Sequence, residues 1–188
     1  MRAIVRTVPL TCHPATSSPA VHRIEVQVFR PSNAALTLRY TVFADIDRLL
    51  IPAESAPRRA DKLWEHTCFE AFVAAMETSG YHEFNFSPST AWAIYRFGAY
   101  REGMTAVTPV RPPGVSVRRG GDRLTLAVSI DLESLPELRK SAGLRLALSV
   151  VIEDTEHHIS YWALAHPPGK PDFHHANSFA LKLPADSE

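Results

Sequence analysis

Apolar side chains recur at every second position along much of this chain, and that spacing restricts its fold more than any other feature. Leu36, Leu38, Tyr40 and Val42 alternate with polar neighbours, as do Ile24, Val26 and Val28. Successive side chains of a strand point to opposite faces, so a period of two lays these residues on one buried side. Leu124, Leu126, Val128 and Ile130 repeat the pattern after Gly120-Gly121-Asp122, which itself follows Val115 and Val117 at the same spacing. That arrangement predicts a β-hairpin. The runs from Phe69 to Met76 and from Leu144 to Ile152 are apolar on both faces, as in central strands, with Met76 buried; a helical reading of both runs stays open.

The 15 prolines fall mainly between these runs, where a missing amide proton costs no ladder bond. The stretch Leu132 to Lys140 reads as one short helix interrupted by Pro136, so a fold with crossover helices lacks its helices. An all-β, antiparallel β-sandwich with one short helix is the expected class. Residues 1–188 fit one domain, because a single core keeps growing up to about 250 residues. Ala53 to Ala60 and Val107 to Gly114 read as exposed loops, and Ala185 to Glu188 as a frayed end.

The 20 basic and 20 acidic side chains cancel, so no overall field draws the chain to nucleic acid or to a membrane surface. The longest apolar runs are too short for a transmembrane helix. The start, Met1-Arg2-Ala3-Ile4-Val5-Arg6, lacks the apolar stretch of a secretory signal. With only Cys12 and Cys68 available, the expectation is reduced thiols and a cytoplasmic location.

The chemistry-bearing side chains concentrate between Leu63 and Met104. Two strands, Tyr81–Phe86 and Ala91–Phe97, joined by the turn Ser87-Pro88-Ser89-Thr90, would set Phe84 and Phe86 against Ala93, Tyr95 and Phe97 on the core side. Glu83, Asn85, Trp92 and Arg96 would then share the other face. An indole beside an acid, an amide and a guanidinium can hold a polyhydroxylated ring, its CH face stacked and its hydroxyls hydrogen-bonded. The same residues also read as scaffold, with Glu83 and Arg96 a cross-strand ion pair and Trp92 a cover for a sheet edge.

The segment Leu63-Trp64-Glu65-His66-Thr67-Cys68-Phe69-Glu70-Ala71-Phe72, followed by Glu83-Phe84-Asn85-Phe86-Ser87-Pro88-Ser89, Trp92-Ala93, Tyr95-Arg96-Phe97 and Tyr100-Arg101, resembles the DOMON-like domains of bacterial proteins related to the family 9 carbohydrate-binding module. Tyr161-Trp162-Ala163-Leu164 and the stretch His166 to His174 agree with the same family. The resemblance implies a β-sandwich that binds a small ligand, a sugar in the carbohydrate modules and haem in some DOMON relatives. It implies a ring clamped between two aromatic side chains, any two of Trp64, Trp92 and Trp162. Glu70, Glu83, Asn85, Arg96 and Arg101 would bond hydroxyls or a carboxylate, with His166 and Asp172 nearby.

Haem would need an axial pair such as Met104 with His66, His82 or His166, and no attachment motif is present. A hydrolase-type enzyme is the alternative of another class. It would use His166, Asp172, His174 and His175 in one proline-bound loop, with Glu65, Glu70 or Glu83 as general base. The adjacent histidines at 157–158 and 174–175 would point to opposite faces of a strand, which disfavours a metal site.

Overall fold

The computed structural model describes residues 4–109 and 111–184; the expected fraying of Ala185–Glu188 lies outside them. The alternating segments form a first antiparallel sheet. It comprises β1 (Ile4–Cys12), β2 (Val21–Ser32), β3 (Ala35–Ala44), β8 (Gly114–Arg119) and β9 (Arg123–Asp131), in the order β1-β2-β3-β9-β8. Ile24, Val26, Val28, Leu36, Leu38, Tyr40, Val42, Leu124, Leu126 and Val128 all turn to one buried side, as their spacing requires. The Gly120-Gly121-Asp122 turn joins β8 to β9 as a hairpin.

The second sheet contains β4 (Cys68–Ala75), β5 (Tyr81–Phe86), β6 (Trp92–Phe97), β7 (Thr105–Ala106), β10 (Gly143–Glu153) and β11 (Ile159–Ala163). Its order is β7-β6-β5-β4-β10-β11, and β12 (Leu181–Pro184) pairs with β10 beyond the end of β11. Strand β1 belongs to both sheets: its residues up to Leu10 pair with β2, while Thr11 and Cys12 pair with β11. The two sheets are therefore stitched at one corner and close over a common core, the all-β sandwich the periodicity implies. Among the described residues no helix is long and apolar enough to cross a membrane.

The two doubly apolar runs, β4 and β10, are neighbours in the centre of the second sheet. Phe69, Ala71, Val73, Leu144, Leu146, Leu148 and Val150 point into the sandwich, whereas Cys68, Phe72, Ala74, Ala147 and Val151 join a second, smaller cluster on the outer face. That cluster is covered by Phe173 and Phe179 from the C-terminal loop and by Leu63. A sheet buried on both faces needs continuous rather than alternating hydrophobicity, which is what these strands carry.

Three expectations change. Met76 lies one residue beyond β4 and is 40% exposed, not buried within a strand. The helix contracts to α1 (Pro136–Arg139), with Pro136 in its first turn, where the missing amide is not needed, instead of interrupting it.

The third change is the register of the β5–β6 hairpin. Its loop has five residues, 87–91, and is closed by the Ser87 N–H donating to the Ala91 carbonyl at 2.8 Å, with Thr90 in the left-handed region at φ 69°. Phe86 thus faces Trp92, Phe84 faces Ile94, Asn85 faces Ala93 and Glu83 faces Tyr95. One residue more than the four-residue turn expected from sequence moves every side chain of β6 to the other face relative to β5. Trp92 becomes core, at 6% exposed, beside Phe84, Phe86 and Ile94. Arg96 goes with it and pairs with Glu137 on α1 at 2.7 Å, away from Glu83.

Candidate functional site

The corrected register puts Glu83 and Asn85 on the outer face with Tyr81, Ala93, Tyr95 and Phe97. Glu70 on β4 sits directly opposite Asn85, so it shares that face. Above it opens a cleft of about 390 Å³. Its aromatic walls are Trp64, Phe97, Tyr161 and Phe173, with Met104, Val151 and Pro171 completing the apolar lining; Glu70, Glu83, Arg101 and His174 supply the polar atoms. Mostly apolar walls around a few placed polar groups are the usual make-up of a small-molecule site.

Trp64 stands on the 3₁₀ turn Leu63–Glu65, after Lys62 in the left-handed region at φ 60°. It is 37% exposed, and its ring meets Tyr95 edge-on at 5.9 Å between centroids. The Tyr95 hydroxyl donates to Asp61, which Arg59 holds through two N–H bonds of 3.0 and 2.7 Å. An otherwise exposed indole is in this way braced against a fixed tyrosine.

Glu70 and Glu83 are 3% and 6% exposed. Ser149 Oγ donates to Glu70 Oε2 at 3.3 Å, and Asn85 Nδ2 to Glu83 Oε1 at 2.6 Å. Burial, reinforced by the Glu83 charge, pushes the Glu70 carboxyl up to about 8. Burial raises Glu83 as well, against the opposing pull of the Asn85 hydrogen bond and the Arg101 charge. Two carboxyls in one desolvated site cannot both ionise cheaply, so the pair retains a proton at neutral pH. The floor consequently offers both a carboxylic O–H donor and carboxylate acceptors.

His174 packs against Phe72 and Phe97, and burial, with the Arg101 charge adding to it, holds its imidazole down at about 4. The ring is neutral. The Tyr81 hydroxyl accepts the Arg101 backbone N–H at 3.1 Å and shares a second hydrogen bond of 2.8 Å with His174 Nδ1. The His174 Nε2 lies 3.7 Å from Glu83 Oε2. Arg101 adopts φ 55° and donates through Nη2 to Asp172 Oδ1 at 2.9 Å, and Asp172 also accepts from Tyr100. Burial pushes Asp172 up, but these two bonds, with the Arg101 charge and the His174 backbone N–H, together hold its carboxyl below the ordinary value.

Of the residues expected from sequence, the structure therefore assembles Trp64, Glu70, Glu83 and Arg101 around one cleft, with Asn85 directly beneath and Asp172 bracing Arg101. Trp92 and Trp162 are core; the Trp162 indole N–H is spent on Ser160 Oγ at 3.1 Å. No two indoles face each other, and the other aromatic residues lining the cleft are Phe97, Tyr161 and Phe173. Arg96 is on the opposite face, and His166 is turned to the Thr11 carbonyl at 2.8 Å and the edge of His13. Tyr161 and Phe173 line the cleft in place of their sequence neighbours Trp162 and Asp172, and Phe97 joins them from the face expected to be core. Alternation along β11 carried the signal, since a core Trp162 places Tyr161 on the outer face.

The axial pair for haem is not brought together, whereas His174, Glu70 and Glu83 of the alternative catalytic set do line the cleft, without His166. Met104 lines the cleft, but His66, His82 and His166 do not. His66 is hydrogen-bonded to Glu153 at 2.7 Å, and His82 lies on the Arg96 side of the sheet. Asp172 accepts from the backbone N–H of His174 at 3.1 Å and does not orient its ring. Cys12 and Cys68 are unpaired, and Cys68 lies at the base of the outer-face cluster.

The sequence matches no protein-family profile and no curated protein. Its fold does match solved structures. A protein from Bacteroides uniformis ATCC 8492, to which carbohydrate binding has been attributed, superposes with a TM-score of 0.66 at 15% identity, covering 97% of this chain and 87% of that one. A family 9 carbohydrate-binding module from Caldicellulosiruptor kristjanssonii in complex with glucose gives a TM-score of 0.52 at 11% identity, over 93% and 81% of the two chains. A family 9 module from the same organism in complex with cellotriose gives 0.51 at 13% identity, over 88% and 75%. At these identities the likeness shows the fold alone: this chain is an antiparallel, all-β sandwich with the same chain topology class as these structures.

Proposed function

We propose that this chain is a non-catalytic carbohydrate-binding domain that takes a polyhydroxylated ring into the cleft over Glu70 and Glu83. The observation that carries the reading is the pairing of aromatic walls, Trp64, Phe97, Tyr161 and Phe173, with two buried carboxyls on the floor. The apolar face of a sugar stacks on such walls, while its hydroxyls, each both donor and acceptor, match a floor that both donates and accepts. The glucose and cellotriose held by the family 9 modules of the same fold support the sugar class. Membership of the DOMON-like bacterial branch, a small-molecule sugar and not nucleic acid or membrane as the ligand, and a cytoplasmic location belong to the same proposal. The run from Trp64 to Arg101 supports the first of these.

The test is titration with mono- and disaccharides, read by calorimetry and by tryptophan fluorescence. Trp92 and Trp162 are buried, so Trp64 carries the optical response. At least one sugar binds with a Kd of roughly micromolar to millimolar, typical of a half-open site. Trp64→Ala weakens it at least tenfold and leaves the fold intact. Absence of binding across the panel, or binding indifferent to Trp64, would sink the proposal.

A further inference from the structure

The floor of the cleft has acceptors that the protein itself leaves unmet. Glu70 engages Ser149 through Oε2, and among the described residues nothing donates to its Oε1. Glu83 engages Asn85 through Oε1, and its Oε2 has only the distant His174 Nε2 at 3.7 Å. Both carboxyls are more than nine-tenths buried and both line the cleft. Among the described residues the one cation in the lining, Arg101, has its guanidinium committed to Asp172 at 2.9 Å. Around the cleft there are thus three carboxyls, Glu70, Glu83 and Asp172, against one guanidinium, with His174 neutral. The walls present aromatic rings, whose faces attract cations. A sugar acid would bring a fourth carboxylate to this floor and is disfavoured.

We propose that the ligand is an amino sugar whose protonated amine sits between Glu70 and Glu83. This rests on the reading of the cleft as a carbohydrate site and narrows it to a cationic class. An ammonium has three N–H donors and no acceptor, so it fills the free oxygens of both glutamates at once, which a hydroxyl with its single proton cannot do. It also supplies the charge whose absence forces the pair to keep a proton. The groups facing the pair are otherwise few. Tyr40 reaches from the first sheet to the Glu70 carbonyl, Cys68 lies on the same strand, Ser149 on β10, and His174 and Arg101 lie on the Glu83 side. None of these replaces the missing cation. Bound ammonium therefore lets the retained proton leave to solvent.

The experiment compares glucosamine, galactosamine and mannosamine with glucose, galactose and mannose by calorimetry on the wild-type chain at pH 6.5. The N-acetyl derivative of the best binder is included. At least one amino sugar binds tenfold or more tighter than its parent, the gain disappears on N-acetylation, and its binding enthalpy varies with the ionisation enthalpy of the buffer as a proton is released. Glu70→Gln and Glu83→Gln, which keep shape while removing charge, each bring the amine preference to within twofold. Equal affinity for amino and parent sugars would overturn the inference and leave the carbohydrate reading standing, as would a preference that survives both substitutions. No binding by any of them would overturn both. The wild-type comparisons decide the matter even if a glutamine variant folds poorly.

Discussion

The two faces of the second sheet are built from alternate residues of the same strands, yet they serve opposite ends. On the inner face Phe69, Phe84, Phe86, Trp92 and Val150 meet the first sheet in a continuous apolar core. On the outer face Glu70, Glu83 and Asn85 occupy the intervening positions, equally buried but polar. Buried carboxyls cost stability unless they are paired, and here one oxygen of each is left free toward a cleft. The inner face is therefore organised for packing, whereas the outer one leaves polar atoms open to the cleft. Aromatic content does not distinguish them, since both are rich in it.

The comparison breaks if truncating an inner-face indole is harmless. Trp92→Ala removes a core aromatic and is expected to cost about 3–5 kcal/mol in urea unfolding. Trp64→Ala, at the mouth of the cleft, should cost less than about 1 kcal/mol while impairing ligand binding. Equal losses would mean that both indoles are structural.

The outer face should also govern the pH dependence of stability. Glu70 titrates near 8 in the folded chain, above its ordinary 4.5, so the folded state holds a proton that the unfolded chain has lost. Stability from this source is present below about 4.5 and declines as pH rises toward 8. His82 and His174 act in the other direction. Both are held near 4 by burial, so stability declines as pH falls from 6.5 toward 4. Glu70→Gln should remove the alkaline decline, with a gain on the order of 2 kcal/mol at pH 9 that vanishes near pH 5. Thermal melts of wild type and variant across pH 4–9 check this; parallel curves would show that Glu70 is ionised throughout.

A smaller effect is expected where the faces are joined through the core. The Tyr40 hydroxyl of the first sheet donates to the Glu70 backbone carbonyl at 2.8 Å, fully buried. Tyr40→Phe should cost about 1–2 kcal/mol and weaken ligand binding only modestly, as measured by denaturation and calorimetry. The smallest effect belongs to Arg96. Its ion pair with Glu137 is half exposed, so Arg96→Ala should cost under about 1 kcal/mol and leave ligand affinity within twofold. A large loss of affinity would return Arg96 to the site and contradict the hairpin register.

Local sequence settled much of this molecule. Period-two spacing placed Leu36 to Val42 and Leu124 to Ile130 on buried faces, and the doubly apolar runs at β4 and β10 marked the centre of a sheet covered on both sides. These follow from the fixed geometry of a strand, in which every second side chain shares a face. Trp64, Glu70, Glu83 and Arg101, concentrated in one segment, are residues that the structure gathers around one cleft. The hairpin register was beyond reach, because whether the β5–β6 loop has four residues or five is decided by the Ser87–Ala91 closure and the left-handed Thr90. That single residue assigned Trp92 and Arg96 to the face opposite Glu83. The other walls of the cleft come from β11 and from the loop carrying Phe173 and His174, about a hundred residues along the chain from Trp64. Only the folding of that loop over the outer face brings them together, since contacts between distant segments are set by packing and not by local pattern.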